Sequence, residues 1–166
     1  MRLFVAVRPP EHVLDQLETL PRPSDTPARW TTREQWHVTL RFLGNVDDPA
    51  PVIDALDATR ASLAPVDVTV GPRAAVLGRQ VVYLPVAGLD VLADVIIDAT
   101  RNFGAPPPTR PFKGHLTLAR TTGGVVDRSS LDLAATWTVD HVELIRSHLG
   151  GGPARYETLA ALSLGG

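Results

Sequence analysis

A chain of 166 residues, 44% hydrophobic and 20% charged, fits one globular domain and is long enough to bury a real core. Sixteen Lys and Arg against eighteen Asp and Glu give a net charge of −2, which excludes a uniformly basic coat for duplex nucleic acid. The absence of cysteine excludes disulfides, thiol catalysis and cysteine-ligated zinc.

The start, MRLFVAVRPP, holds a short apolar run, Leu3 to Val7, before Arg8 and two prolines. That run reads as a buried strand and is too short for a signal-peptide core or a membrane span, so a cytoplasmic location is the default expectation. The prolines suit the first turn of a helix whose inner face carries Val13, Leu14, Leu17 and Leu20. Pro21 to Pro27 reads as a loop, and WHVTLRFLG (Trp36 to Gly44) as the second strand. Asp47 or Asp48 caps a second helix, with Pro49 at its start and Val52, Ile53, Leu56 and Leu63 facing inward.

Val66 to Val70 and Val81 to Val86 read as strands, with a weaker one at Ala74 to Leu77. A third helix runs from Leu89 to Phe103 and is stopped by Gly104 and the Ala105-Pro-Pro-Pro run. GHLTLAR (Gly114 to Arg120) is another strand, and Trp137 to Leu144 and Tyr156 to Leu162 are two late ones, joined by a glycine-rich loop. Each half of the chain thus has a helix, a proline-bearing loop and an H-x-T strand. The pattern predicts an α+β fold over residues 1–166, a single domain of two pseudo-repeated lobes with sheets facing a groove.

Strand side chains alternate faces, so His37, Thr39 and Arg41 point one way and Val38, Leu40 and Phe42 the other. His115 and Thr117 repeat the arrangement, opposite Leu116 and Leu118. Two imidazoles facing one groove suit phosphodiester chemistry, because histidine changes charge near neutral pH and serves as base or acid. A threonine two residues on shares the histidine's face and donates its hydroxyl to a phosphate oxygen. Such a scheme uses no metal and no cofactor. No segment has the close ligand spacing of zinc motifs, which weighs against a centre built from His37, His115 and a carboxylate.

The paired H-V-T-L and H-L-T-L motifs resemble those of the two-histidine phosphoesterase superfamily. Within it the chain is most similar to the RNA 2′,3′-cyclic phosphodiesterases, historically called 2′-5′ RNA ligases. RLFVAV, Arg29-Trp30, WHVTLRFLG, RPFKGHLTLAR and the closing S-x-L…GP…Y-x-x-L of Ser147 to Leu159 carry the likeness over nearly the whole chain. The resemblance implies two lobes of antiparallel sheet around a groove, with helices outside. It implies hydrolysis of a terminal 2′,3′-cyclic phosphate on RNA to a 2′-phosphate. It assigns His37 as proton donor, His115 as proton acceptor, and Thr39 and Thr117 as phosphate-binding residues. It also assigns the positions five residues past each histidine, Phe42 and Arg120, to the nucleotide end of the groove and to phosphate. Strict alternation opposes that last assignment. By it Phe42 reads as core, whereas Arg120, near a strand end, can be re-aimed by a bulge or the next loop.

Arg41 shares the face of His37, so it either attracts phosphate or closes a salt bridge at the rim. Trp30 and Trp36 are candidates for stacking on a base, against the commoner role of aromatics beside strands as core. His12 and His141 read as solvated, and His148 as a residue beside the glycine-rich loop that can approach the cleft. The expected partners are RNA 3′ ends bearing the cyclic phosphate, tRNA fragments or small cyclic nucleotides, met by a monomer. The rival functions are ligation of tRNA halves and a non-catalytic RNA-end binding module. Ligation runs against roughly 55 M water unless two ends are held together. A binding module has no need of two titratable groups.

Overall fold

The computed structural model describes residues 1–24 and 27–165, so the expected Pro21 to Pro27 loop lies partly outside the described residues. Ten strands form one antiparallel sheet: β1 (Arg2–Val7), β2 (Ala28–Trp30), β3 (Val38–Asn45), β4 (Val66–Val70), β5 (Ala75–Leu77), β6 (Val81–Ala87), β7 (His115–Thr121), β8 (Ala135–Val139), β9 (His141–His148) and β10 (Arg155–Ser163). The helices are α1 (Glu11–Glu18), α2 (Ala50–Thr59) and α3 (Asp90–Ala99). The strand order is β10-β9-β1-β3-β7-β6-β4-β8, with β2 on β7 and β5 on β6. The sheet curls into an open half-barrel with the helices outside, as the α+β reading expects.

The two halves of the sheet meet where β3 and β7 pair, through Val38 and Leu116 alone. Each of these residues immediately follows a motif histidine. The seam therefore sets the two histidines at the middle of the concave face. On β1, alternation sends Leu3, Val5 and Val7 into the main core under the helices. Phe4 and Ala6 go to the other face, where they form a small second cluster with Ile145 and Tyr156. The large core seals the convex side, and the small one walls the groove.

Several elements differ from the sequence expectation. The strand predicted over Trp137 to Leu144 breaks at Asp140: β8 pairs with β4 at one edge, whereas β9 pairs with β1 and β10 at the far end of the sheet. β9 and β10, last in the chain, thus complete the half of the sheet built on β1 and β3 rather than the half containing β7. The third helix ends at Ala99, where the Thr100 hydroxyl turns back onto the Ile96 carbonyl at 2.7 Å, and Phe103 packs from a following turn. The strand β2 has no counterpart in the sequence expectation; at three residues it carries too little pattern to be seen. Neither Asp47 nor Asp48 is the N-cap of α2, which is Pro49; Asp48 instead accepts the Ala50 N–H at 3.0 Å in a turn just ahead of the helix.

No described helix is long and apolar enough to cross a membrane.

Candidate active site

β3 and β7 carry the same irregularity at the same place. On β3, Thr39 lies opposite Ala6 and Arg41 opposite Val5, so Leu40 has no partner across the ladder. On β7, Thr117 lies opposite Tyr83 and Ala119 opposite Val82, which leaves Leu118 extra. Each bulge falls three residues past its histidine. One extra residue in a ladder reverses the facing of everything beyond it. His37 and Thr39, and His115 and Thr117, keep the face that alternation gives them, and Phe42 and Arg120 swing round to join them.

Phe42 is accordingly 43% exposed and lines the cleft, which corrects its reading as core. Arg41 is carried the other way and buried to 3% exposure, away from the groove. Its guanidinium donates to the carbonyls of Phe42 at 3.0 Å, Ala105 at 2.5 Å and Pro106 at 3.2 Å. The expectation that Arg41 faces the cleft beside His37 is thereby corrected: it fastens the proline loop onto β3 and forms neither of the two contacts anticipated for it. Gly104 permits that docking. Its φ is +63°, and a Cβ there would meet the Leu43 carbonyl oxygen at 2.0 Å.

A cavity of about 180 Å³ opens along the seam. His37, Thr39, Phe42, His115, Thr117 and Arg120 all line it, joined by Arg2, Phe4, Thr31, Gln35, Ser147 and Tyr156. The two imidazoles are held alike. His37 Nδ1 donates to the Gln35 carbonyl at 2.7 Å, and His115 Nδ1 to the Lys113 carbonyl at 2.9 Å, each two residues upstream. A proton fixed on Nδ1 leaves the Nε2 lone pair for the cleft in the neutral ring. At His37 that lone pair accepts the Thr39 hydroxyl at 3.1 Å. Gly114 lets β7 close on β6 beside His115, since a Cβ there would meet the Val86 carbonyl at 2.2 Å.

The surroundings of the two rings differ. Phe4 lies 4.9 Å from His37 centroid to centroid, and Tyr156 meets it edge-on at 5.2 Å. Burial lowers the His37 pKa to about 4, and the charges of Arg8, His115 and Arg120 push the same way against the Gln35 carbonyl. Arg8 is itself anchored by the buried Glu143, at 3.2 Å. His115 stacks edge-on to Tyr83 at 5.7 Å.

The bulge on β7 has its own brace. The Thr31 hydroxyl donates to the carbonyls of Thr117 at 2.8 Å and Leu118 at 2.9 Å, and accepts the Trp36 indole N–H at 2.9 Å. Trp36 is 2% exposed, so it is core and not a stacking surface for a base. Trp30 lines a smaller pocket beside the cleft. His148 does not line the cleft and instead bonds Glu157 at 2.6 Å. His141 lies against Asp140 at 2.6 Å, and His12 against the Thr136 carbonyl at 3.3 Å. Among the described residues, no three His, Cys, Asp or Glu side chains are grouped to hold a metal ion.

The cleft residues that the sequence reading misses are partly legible there. Period two on β1 places Arg2 and Phe4 opposite the core-facing Leu3 and Val5, and Ser147 and Tyr156 stand in the closing motif. Thr31 lies in a connecting segment and Gln35 ends a single 3₁₀ turn, Arg33–Gln35, both too short for a periodicity to point inward.

Comparison with known proteins agrees with this geometry. Residues 9–151 match the model of the 2′-5′ RNA ligase superfamily. A curated relative from Geobacillus stearothermophilus, named RNA 2′,3′-cyclic phosphodiesterase, is 32% identical over 159 residues, covering 85% of this chain and 49% of that protein. The chain therefore spans about half the length of that relative. TT0787 of Thermus thermophilus has the same fold with a TM-score of 0.84 at 25% identity, over 100% of this chain and 99% of that one. E. coli LigT, in a complex with ATP, gives 0.76 at 26% identity, over 98% and 96%. With its paired H-x-T strands, matching bulges and shared cleft, the chain belongs to the 2′-5′ RNA ligase superfamily.

Proposed function

We propose that this protein opens a terminal 2′,3′-cyclic phosphate on RNA, leaving a 2′-phosphate and a free 3′-hydroxyl. The observation that carries the reading is two imidazoles lining one cleft, each with Nδ1 fixed by the carbonyl two residues upstream and Nε2 left for proton transfer. The activity named for the Geobacillus relative supports the same class of substrate.

In the reaction His115 Nε2 takes a proton from water as its oxygen attacks phosphorus, opposite the 3′-oxygen. The bond from phosphorus to O3′ breaks, and His37 Nε2–H gives its proton to the departing oxygen. The choice of His115 as base follows the family resemblance, since the two rings are held identically. Thr39 and Thr117 donate hydroxyls, and Arg120 its guanidinium, to the non-bridging oxygens as charge builds there. Thr39 releases His37 Nε2 when it turns to phosphate. An incoming phosphate anion also offsets the positive neighbours that lower the His37 pKa, so substrate itself helps to protonate the acid. A free nucleoside 2′,3′-cyclic phosphate presents the same reacting atoms.

Incubation of the full chain with an oligonucleotide ending in a 2′,3′-cyclic phosphate, with the product's phosphate position read by NMR, tests the proposal. A 2′-phosphate is expected. Unchanged substrate, or a 3′-phosphate, overturns it.

A further inference from the structure

Arg120 borders two cavities. Besides the catalytic cleft it lines a smaller pocket, with Arg29, Thr31, Gln35, Ala154 and Tyr156. Arg29 on β2 is the direct cross-strand partner of Arg120 on β7. Both are exposed, and neither pairs with a carboxylate among the described residues. Like charges directly opposite each other on adjacent strands repel, unless an anion sits between them. Two guanidinium forks on one face, with no counter-charge among the described residues, form the donor set that phosphate oxygens fit. The pocket is about 70 Å³, roughly the volume of two waters.

We infer that Arg29 and Arg120 form a second anion subsite that takes the phosphate on the 5′ side of the terminal nucleotide, so that an RNA end is preferred over a lone cyclic nucleotide. The inference rests on reading the neighbouring cleft as the phosphodiester site. The two pockets share Thr31, Gln35, Arg120 and Tyr156, so an anion in the second is most readily supplied by the molecule whose phosphate occupies the cleft. A nucleotide within RNA meets this condition, because one ribose carries both phosphates. Once the first phosphate is bound, the second is presented at high effective concentration.

The test uses product-like ligands, which require no turnover. Adenosine 2′,5′-bisphosphate and adenosine 2′-monophosphate are titrated against the full chain by calorimetry. The wild type is expected to bind the bisphosphate tighter by about tenfold or more, as one added charge-assisted contact provides. The bisphosphate's affinity is expected to fall more with added salt than the monophosphate's, because an extra charge pair is screened. In Arg29→Gln, an exposed substitution, the gap should close to within about twofold. Equal affinities in the wild type, a gap that survives Arg29→Gln, or no binding of either ligand overturns the subsite. A parallel assay compares a dinucleotide and a mononucleoside, each ending in a cyclic phosphate. No hydrolysis of either, with the affinity gap intact, sinks the proposed reaction and leaves the subsite standing.

Discussion

Just before β3 the His37 ring stands between Phe4 and Tyr156, and the residue five places on is Phe42; at the start of β7 the His115 ring meets Tyr83, and the residue five places on is Arg120. Two backbone features recur in both, a bulge three residues past the histidine and Nδ1 held by the carbonyl two residues before it, although β3 has a second shift at Leu43. In the proposed reaction this backbone pattern, used twice, supplies two proton carriers of one tautomer, while their neighbours differ, one side apolar and lowering the pKa of its histidine, the other carrying Arg120 into the cleft.

The largest expected effects test the shared part. His37→Ala and His115→Ala should each lower kcat on a cyclic-phosphate end by about 10²–10⁴-fold, with the circular dichroism spectrum unchanged. A His37→Ala enzyme that keeps roughly a tenth of normal activity breaks the symmetry argument, because one ring would then suffice.

The next pair separates two arginines whose facings strict alternation inverts, Arg41 and Arg120. Arg120→Met should cost about 10²-fold in kcat/KM, as the loss of one transition-state donor does, with little change in stability. Arg41→Met should do the reverse. Three loop and strand carbonyls lose their donor, which outweighs the relief of a buried guanidinium, for a net loss of about 2 kcal/mol by chemical denaturation. Folded Arg41→Met should turn over normally. Loss of turnover in proportion to the Arg120 variant would mean that Arg41 reaches the substrate.

Why alternation misplaces those arginines is physical. Period two is a property of an unbroken ladder, and it places His37, Thr39, His115 and Thr117 correctly, because all four precede the bulges. Arg41 and Phe42 lie beyond one, so the same rule inverts them. A bulge residue near the helical conformation needs no glycine, and Leu40 and Leu118 look like ordinary strand leucines. Register belongs to two strands, and one strand's sequence does not contain it. The break at Asp140 leaves only a small mark: the polar pair Asp140-His141 shifts the apolar phase from Trp137 and Val139 to Val142 and Leu144, but nothing local says that the two halves pair at opposite ends of the sheet. The α+β class, the three helices and most strands follow from local pattern, whereas the joining of β9 and β10 to β1 is a long-range choice.

Thr31 offers a smaller test of what the bulge does. Thr31→Val keeps the shape and removes the hydroxyl that serves the carbonyls of Thr117 and Leu118 and the indole of Trp36. A stability loss of about 1–3 kcal/mol follows from the groups left unpaired. If the brace also aims Arg120, kcat/KM should fall about tenfold in the folded variant, and the Arg120→Met background should mask that fall. Additive losses would show that Thr31 acts on substrate through some other contact.

The subtlest difference between the two strands is the resting charge of His37. Its pKa is lowered from 6.5 to about 4 in the folded protein, so between those values the unfolded chain binds more protons than the native one. Stability must then rise with pH across that window, and be lost as pH falls from about 6.5 toward 4. The shift bounds this single contribution at roughly 3 kcal/mol. His37→Asn should flatten that part of the stability curve. Phosphate in the cleft works in the opposite direction, because its negative charge favours the imidazolium. The His37 ring proton, followed by NMR, should titrate near pH 4 in the free protein and at distinctly higher pH with a 2′-nucleotide bound. A free-protein titration near the ordinary 6.5 would mean that the aromatic wall around His37 does not set its charge, and the difference between the two strands would need another cause.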